Sequence, residues 1–153
     1  MDAQIKKTVL RMIPYGLYVL ASESEDGRVA ASTVNWVTQA SFEPPLLVVG
    51  VKADSGAYEI IKTTKAFALN VLGKGQQDFA YTFFKTLDRD GNSIGGEIFS
   101  TGKSGAPIFD NAAAYLECSL EVTEAGVNRE ISGRADEETL VLGDLGEKVF
   151  YGG

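Results

Sequence analysis

The sequence predicts a mainly β protein, in which six or more short strands linked by hairpins form a closed or nearly closed antiparallel barrel with a few flanking α-helices. Three observations predict it. Short apolar or alternating runs recur along the chain. Turn residues separate them, most clearly Asp26-Gly27 and Pro44-Pro45. Helical spacing interrupts the runs in only a few places, so the regular strand–helix–strand alternation of a parallel sheet is missing. At 153 residues the chain fits one domain, 1–153, large enough to bury a core. It carries no internal repeat and no low-complexity segment.

Residues 2–12 place Ile5, Val9 and Met12 at helical spacing and stop before Pro14, which fits a short amphipathic helix. Residues 15–22 are aromatic and β-branched and fit a strand. The Asp26-Gly27 turn then returns the chain as a second strand, 29–39. A turn at 41–45 leads into a nearly unbroken apolar strand, 46–51. Residues 57–65 have helical periodicity at Ala57, Ile60 and Ile61, with Asp54 or Ser55 as N-cap. Residues 66–72 form a strand with Asn70 in an apolar setting, where its amide needs partners from backbone or ligand. Residues 75–85 are a second helical segment that packs through Phe79, Phe83 and Phe84. Residues 87–105 are rich in Gly, Ser and Asp and are expected as a long irregular loop, a type often used as a lid or binding loop. Residues 114–124 alternate, with Leu116, Cys118, Leu120 and Val122 on one face, as a half-buried antiparallel strand does. Residues 139–145 and 149–151 complete the strand candidates.

Composition narrows the function. The formal charge of −7 argues against nucleic acid or an anionic membrane as the main partner. No apolar run reaches the roughly 18 residues that span a bilayer, and the N-terminal residues lack a signal-peptide core. The one cysteine, Cys118, cannot close an internal disulfide, so a reducing cytoplasm is the default. There is no histidine, which removes a Ser-His-Asp triad, a Cys-His pair and a histidine-based zinc site. No CxxC, Walker loop or dinucleotide fingerprint is present, and the DRDGN run at 88–92 lacks the bidentate Glu of a calcium loop. No metal ligands and no catalytic side chain are assigned. An enzyme of this composition borrows its chemistry from a cofactor.

The strand 29–39 is the unusual element. It is small and polar at Ser32, Thr33, Asn35, Thr38 and Gln39, with one Trp36. Such residues either line a slot for a flat ligand or face water on a half-exposed strand. The first-turn amides of the helix at 57–65 suit a phosphate, and Lys52 and Ser55 could reach the same anion; an ordinary capped helix would look the same.

The segment ASTVNWVTQASFEPPLLVVGVKADSGAYEIIKTTKAFALNVL resembles the core signature of the flavin reductase-like family, the FMN-binding split barrels. The later GKSGAPIFDNAAAYLEC resembles that family's second landmark, in the same order and spacing. The resemblance implies a six-stranded antiparallel split β-barrel of Greek-key type, which dimerises with itself. It implies bound FMN, with FAD as the alternative flavin, reduced by NADH or NADPH. Mapped onto this chain, Thr33, Val34, Asn35, Trp36, Val37 and Thr38 run along the flavin ring and ribityl chain, with Ser41 at the turn beside them. Lys52, Ser55 and Tyr58 hold the phosphate end, and Asn70 lies on the flanking strand. Many members carry Gly-Asp-His before the final strand, and here Glu138 stands near the His position. A carboxylate there would repel the dinucleotide's phosphates. The runner-up is therefore an FMN-holding electron-transfer domain that takes electrons from a partner protein. A third reading is a flavin-free structural barrel.

Overall fold

The structure is a computed structural model that describes residues 2–121. The strands expected at 139–145 and 149–151, and Glu138, lie outside the described residues. Helix α1 (Ala3–Arg11) opens the chain, capped by the Asp2 carboxylate, which accepts from the amides of Gln4 at 2.8 Å and Ile5 at 3.1 Å. Strands β1 (Tyr18–Glu23) and β2 (Val29–Val34) form the expected hairpin. Gly27 at its turn has φ +83, a conformation that favours glycine.

The strand expected at 29–39 is two strands. β2 stops at Val34, the chain breaks at Asn35-Trp36, and β3 (Val37–Phe42) starts afresh to pair with β4 (Pro45–Val49). Helix α2 (Gly56–Thr64) and strand β5 (Ala66–Val71) follow, joined by Lys65 at φ +59. Helix α3 (Gln77–Thr82) is shorter than its sequence pattern, because Gly75 lies at φ +96 just before it and Phe83 leaves helical geometry just after.

The irregular loop expected at 87–105 is a small meander instead. It holds β6 (Arg89–Asp90), β7 (Ser93–Ile94) and β8 (Glu97–Thr101), which pairs with β9 (Pro107–Phe109). Glycines at positive φ make its reversals, and Ile94 and Phe99 anchor it in the core. Arg89 fastens it to the first hairpin through Glu23 at 2.6 Å and the carbonyl of Gly27 at 3.1 Å. Strand β10 (Ala114–Ser119) ends the described chain.

The protein is mainly β, and among the described residues it has antiparallel sheets of four (β10-β5-β1-β2), two (β3-β4) and four (β6-β7-β8-β9) strands. β1 is one of the two inner strands of the first sheet, and its residues Val19, Leu20, Ala21 and Ser22 are fully buried. One face of that sheet packs on α3 and the β8–β9 pair through Val19, Phe79, Phe83, Phe99 and Phe109. The other packs on α2 through Leu20, Ala57, Ile61 and Leu69. Strand β10 puts Cys118 against that second cluster, where burial raises the pKa of its thiol, while Leu116 stays 43% exposed.

Asn70 is fully buried, and its carboxamide is spent on the backbone. It donates to the carbonyls of Val19 and Pro107 and accepts from the amide of Phe109 at 3.0 Å. Of the two partners the sequence left open, backbone is the answer. Asn70→Ala strands three backbone groups and should lower stability by roughly 2–4 kcal/mol in urea denaturation. An unchanged midpoint would overturn the role.

Glu117 plays a similar part at the surface, accepting from the Ser104 amide at 2.7 Å and hydroxyl at 2.8 Å. These bonds, the amide foremost, hold its carboxyl below the usual range. A carboxyl depressed on folding contributes stability in full above its unfolded pKa, about 4.3. That contribution is lost as pH falls through the folded value. Glu117→Gln should therefore flatten the loss of stability below about pH 5; urea midpoints that keep the wild-type acid slope would exclude it.

Candidate functional site

The β3–β4 hairpin has one face in the core and one open. Val37, Leu47 and Val49 pack on the second core cluster. Thr38 pairs with Val48 and Ser41 with Leu46, so these four share the opposite face. Thr38 and Ser41 are three apart in sequence and would face opposite ways in a regular strand. The irregularity between Gln39 and Ser41 inserts one residue and brings them together.

Trp36 completes this face. Its carbonyl accepts from the Gly50 amide at 2.8 Å, and its indole rests on Gly50 while staying 65% exposed. A Cβ on residue 50 would lie 3.0 Å from the Trp36 Cβ, so glycine is what lets the ring settle there. The result is a shallow surface with a wide aromatic wall, small hydroxyls at Thr38 and Ser41, and aliphatic Leu46 and Val48. Asn35, half-buried in the break between β2 and β3, has no hydrogen-bond partner among the described residues.

The N-terminus of α2 lies one short loop beyond β4. Ser55 is its N-cap: the hydroxyl accepts from the Tyr58 amide at 3.2 Å and donates to the Lys52 carbonyl at 2.6 Å. Among the described residues no acceptor takes the amides of Gly56 and Ala57, the donors a helix leaves open at its start. Lys52 pairs with Asp54 at 3.1 Å on exposed surface, a bond an incoming anion can exchange for its own. The Tyr58 ring lies under the Lys62 ammonium, 5.8 Å from it.

Four expected site residues have other work, Val37 in the core as already described. Asn70 serves the backbone as described. Val34 packs its side chain against the α2-side cluster and can offer a ligand only backbone. Thr33 faces α3: its hydroxyl donates to the Ala80 carbonyl at 2.7 Å and its amide to the Phe83 carbonyl at 3.0 Å. That tie also reveals what the sequence reading missed. The end of α3, with exposed Tyr81 and Phe84, abuts the strand that leads into Asn35-Trp36. The signal was present in the i, i+3 spacing of Tyr81 and Phe84, off the phase of the core residues Phe79 and Phe83.

Among the described residues no group of His, Cys, Asp and Glu could hold a metal ion, and no helix is long and apolar enough to cross a membrane.

Residues 10–144 match the model of the flavin reductase like domain. A protein of Rhizobium meliloti (strain 1021) named "Probable flavin reductase" is 33% identical over 120 residues, covering 78% of this chain and 38% of its own. The NADH-dependent flavin reductase StyB of Pseudomonas fluorescens is 30% identical, covering 80% of this chain and 69% of its own. The structure of the styrene monooxygenase flavin reductase SMOB from Pseudomonas putida S12 superposes with a TM-score of 0.68 at 28% identity, covering 80% of this chain and 76% of that one. Against further curated relatives the chain spans only part of their length, from 21% to 57%. With the match covering most of its length, the chain belongs to the flavin reductase-like family.

Proposed function

We propose that this chain binds FMN and acts as an NAD(P)H-dependent flavin reductase, with FAD as the alternative flavin. The observation that carries this, in a chain of this family, is the open hairpin face where Trp36, Thr38 and Ser41 meet. Their fit to a flavin is physical. Gly50 has no Cβ to push the Trp36 indole away, so the ring rests against it and leaves an exposed aromatic surface that a planar ring can approach. Asn35, Thr38 and Ser41 offer short hydrogen-bonding side chains along the ring edge and ribityl chain. The open amide of exposed Gly56, at the positive end of α2, takes the phosphate. Lys52 neutralises it after parting from Asp54. Ser55 fixes the helix start through its cap, and Tyr58 flanks it. Thr33 holds α3 against the strand, and Val34 and Val37 anchor the strands from the core side.

When bound, flavin supplies the two-electron chemistry that no side chain here provides. This chain's part is to hold the ring against one wall, keep the other ring face open to a nicotinamide, and neutralise the phosphate. The six strands β10-β5-β1-β2 and β3-β4 would then be the split barrel, in a single domain over 1–153. Its exposed apolar hairpin face, with Trp36, Val48 and Leu46, supports a homodimer. A soluble cytoplasmic setting follows from use of NAD(P)H, and the reduced flavin would pass to a partner protein.

Purified protein with FMN, treated anaerobically with NADH and then NADPH, should lose its flavin absorbance within seconds to minutes. Bleaching by dithionite alone would favour the electron-transfer domain, which Glu138 in place of a histidine already suggests. Failure to bind any flavin would sink both. For the phosphate end, the Lys52→Ala/Ser55→Ala double variant should weaken FMN by roughly 1–3 kcal/mol and leave riboflavin, which has no phosphate, unchanged in fluorescence titration. Equal losses for both ligands would place the damage in the helix cap instead.

A further inference from the structure

Among the described residues, five aromatic ring pairs touch, and four of them lie in the core around Phe79, Phe83, Phe99 and Phe109. The fifth does not. Tyr81 and Phe84 meet edge to face at 5.5 Å while staying 65% and 64% exposed. Their backbones are locked, since the Phe84 amide donates to the Tyr81 carbonyl at 3.3 Å and Thr33 binds the carbonyls of Ala80 and Phe83 on either side. Two large rings are thus exposed to water on a fixed backbone, beside the strand that runs into Asn35-Trp36. Lys85 follows immediately, exposed and without an ion pair among the described residues, on a chain of net charge −7.

An exposed aromatic pair next to a cation is suited to a base stacked beside a phosphate. Building on the flavin reading above, we propose that Tyr81 and Phe84 form a stacking platform for the adenine ring of a dinucleotide used by this chain, with Lys85 near the phosphate on its adenosine side. FMN has no adenine and does not need the platform. FAD and NAD(P)H both carry one, so the shared chemistry is an adenosine diphosphate moiety.

The test is the Tyr81→Ser/Phe84→Ser double variant, which leaves the core rings in place, with Phe84→Ser alone as the milder change. Its affinities for FMN and FAD are measured by fluorescence titration, its KM for NADH at saturating FMN by steady-state kinetics, and its binding of ADP by calorimetry. FMN affinity should be unchanged. If the adenine belongs to FAD, FAD binding should weaken about ten-fold; if to the nicotinamide dinucleotide, KM for NADH should rise about ten-fold with kcat retained. In both cases ADP binding should fall, and Tyr81→Phe, which keeps the ring, should behave as wild type. Unchanged ADP, FAD and NADH parameters would overturn the proposal. So would an equal loss of FMN affinity, or a change of oligomeric state showing that a second copy covers the rings. Because ADP binding is read without flavin, the platform is tested even if wild-type protein fails to bind FMN, an outcome that would sink the flavin reading instead.

Discussion

The three backbone bonds of the Asn70 carboxamide are the constraint on which the rest of the structure hangs. Asn70 sits on β5 opposite Val19 of β1, and it reaches beyond the sheet to Pro107 and Phe109 of β9. An amide buried without partners costs more than most apolar contacts return, so β9 has one acceptable seat. With β9 seated, Phe109 stands at the centre of four aromatic rings, and α3 and the small meander have a surface to close on. Thr33 repeats the device on the other side of β1. It pairs with Val19 in register and ties α3 to the edge strand by its hydroxyl and amide. A single row across the sheet, Thr33, Val19 and Asn70, thus fixes the α3 side of the core.

Fixing that side is what leaves the hairpin face free. β2 is the outer strand of its sheet and ends where its last residues are claimed, Thr33 by α3 and Val34 by the α2-side cluster. The two residues of the break let the chain swing out and begin a separate pair of strands. That pair is half-buried: its inner residues share the α2 cluster, and Thr38, Leu46 and Val48 on its outer side are exposed.

The fold was legible in the sequence wherever periodicity and turn chemistry agree. The first hairpin, α1, α2 and β5 stand where the pattern of apolar residues puts them, with Ser55 the N-cap of the two candidates; β10 starts as expected but ends at Ser119, short of the expected 114–124, of which 122–124 lie outside the described residues. The meander was not legible, because its strands are two to five residues long and each is flanked by glycine. A composition that reads as loop hides strands held by long-range partners such as Arg89 with Glu23. The single strand at 29–39 failed for a related reason. Nothing in Asn35-Trp36 forbids extended backbone; the break is imposed by what Thr33 and Val34 contact on either face, which no local window contains. At the site, the residue types of 33–41 were informative, but their facing was not, because the irregularity after Gln39 reverses the alternation. Asn70 was flagged correctly as needing partners, and only the structure could say that backbone supplies them.

The open face owes its shape to two departures from a regular hairpin, and neither works alone. Without the extra residue at the irregularity, Ser41 would turn toward the core side and leave Thr38 as the lone hydroxyl among aliphatic neighbours. Without Gly50, the Trp36 indole would be pushed off the sheet, since a Cβ there comes within contact of both its Cβ and its ring. Each costs ladder hydrogen bonds or backbone entropy, and bulges concentrate at sheet edges and next to functional sites, where they re-aim a side chain. Here both are kept within a few residues of each other, on one face, and next to a capped helix whose first amides are open. A merely structural hairpin has no use for that combination. A surface that must accept a flat ring and a charged tail does, and this is the physical ground of the proposal that a flavin sits on this face.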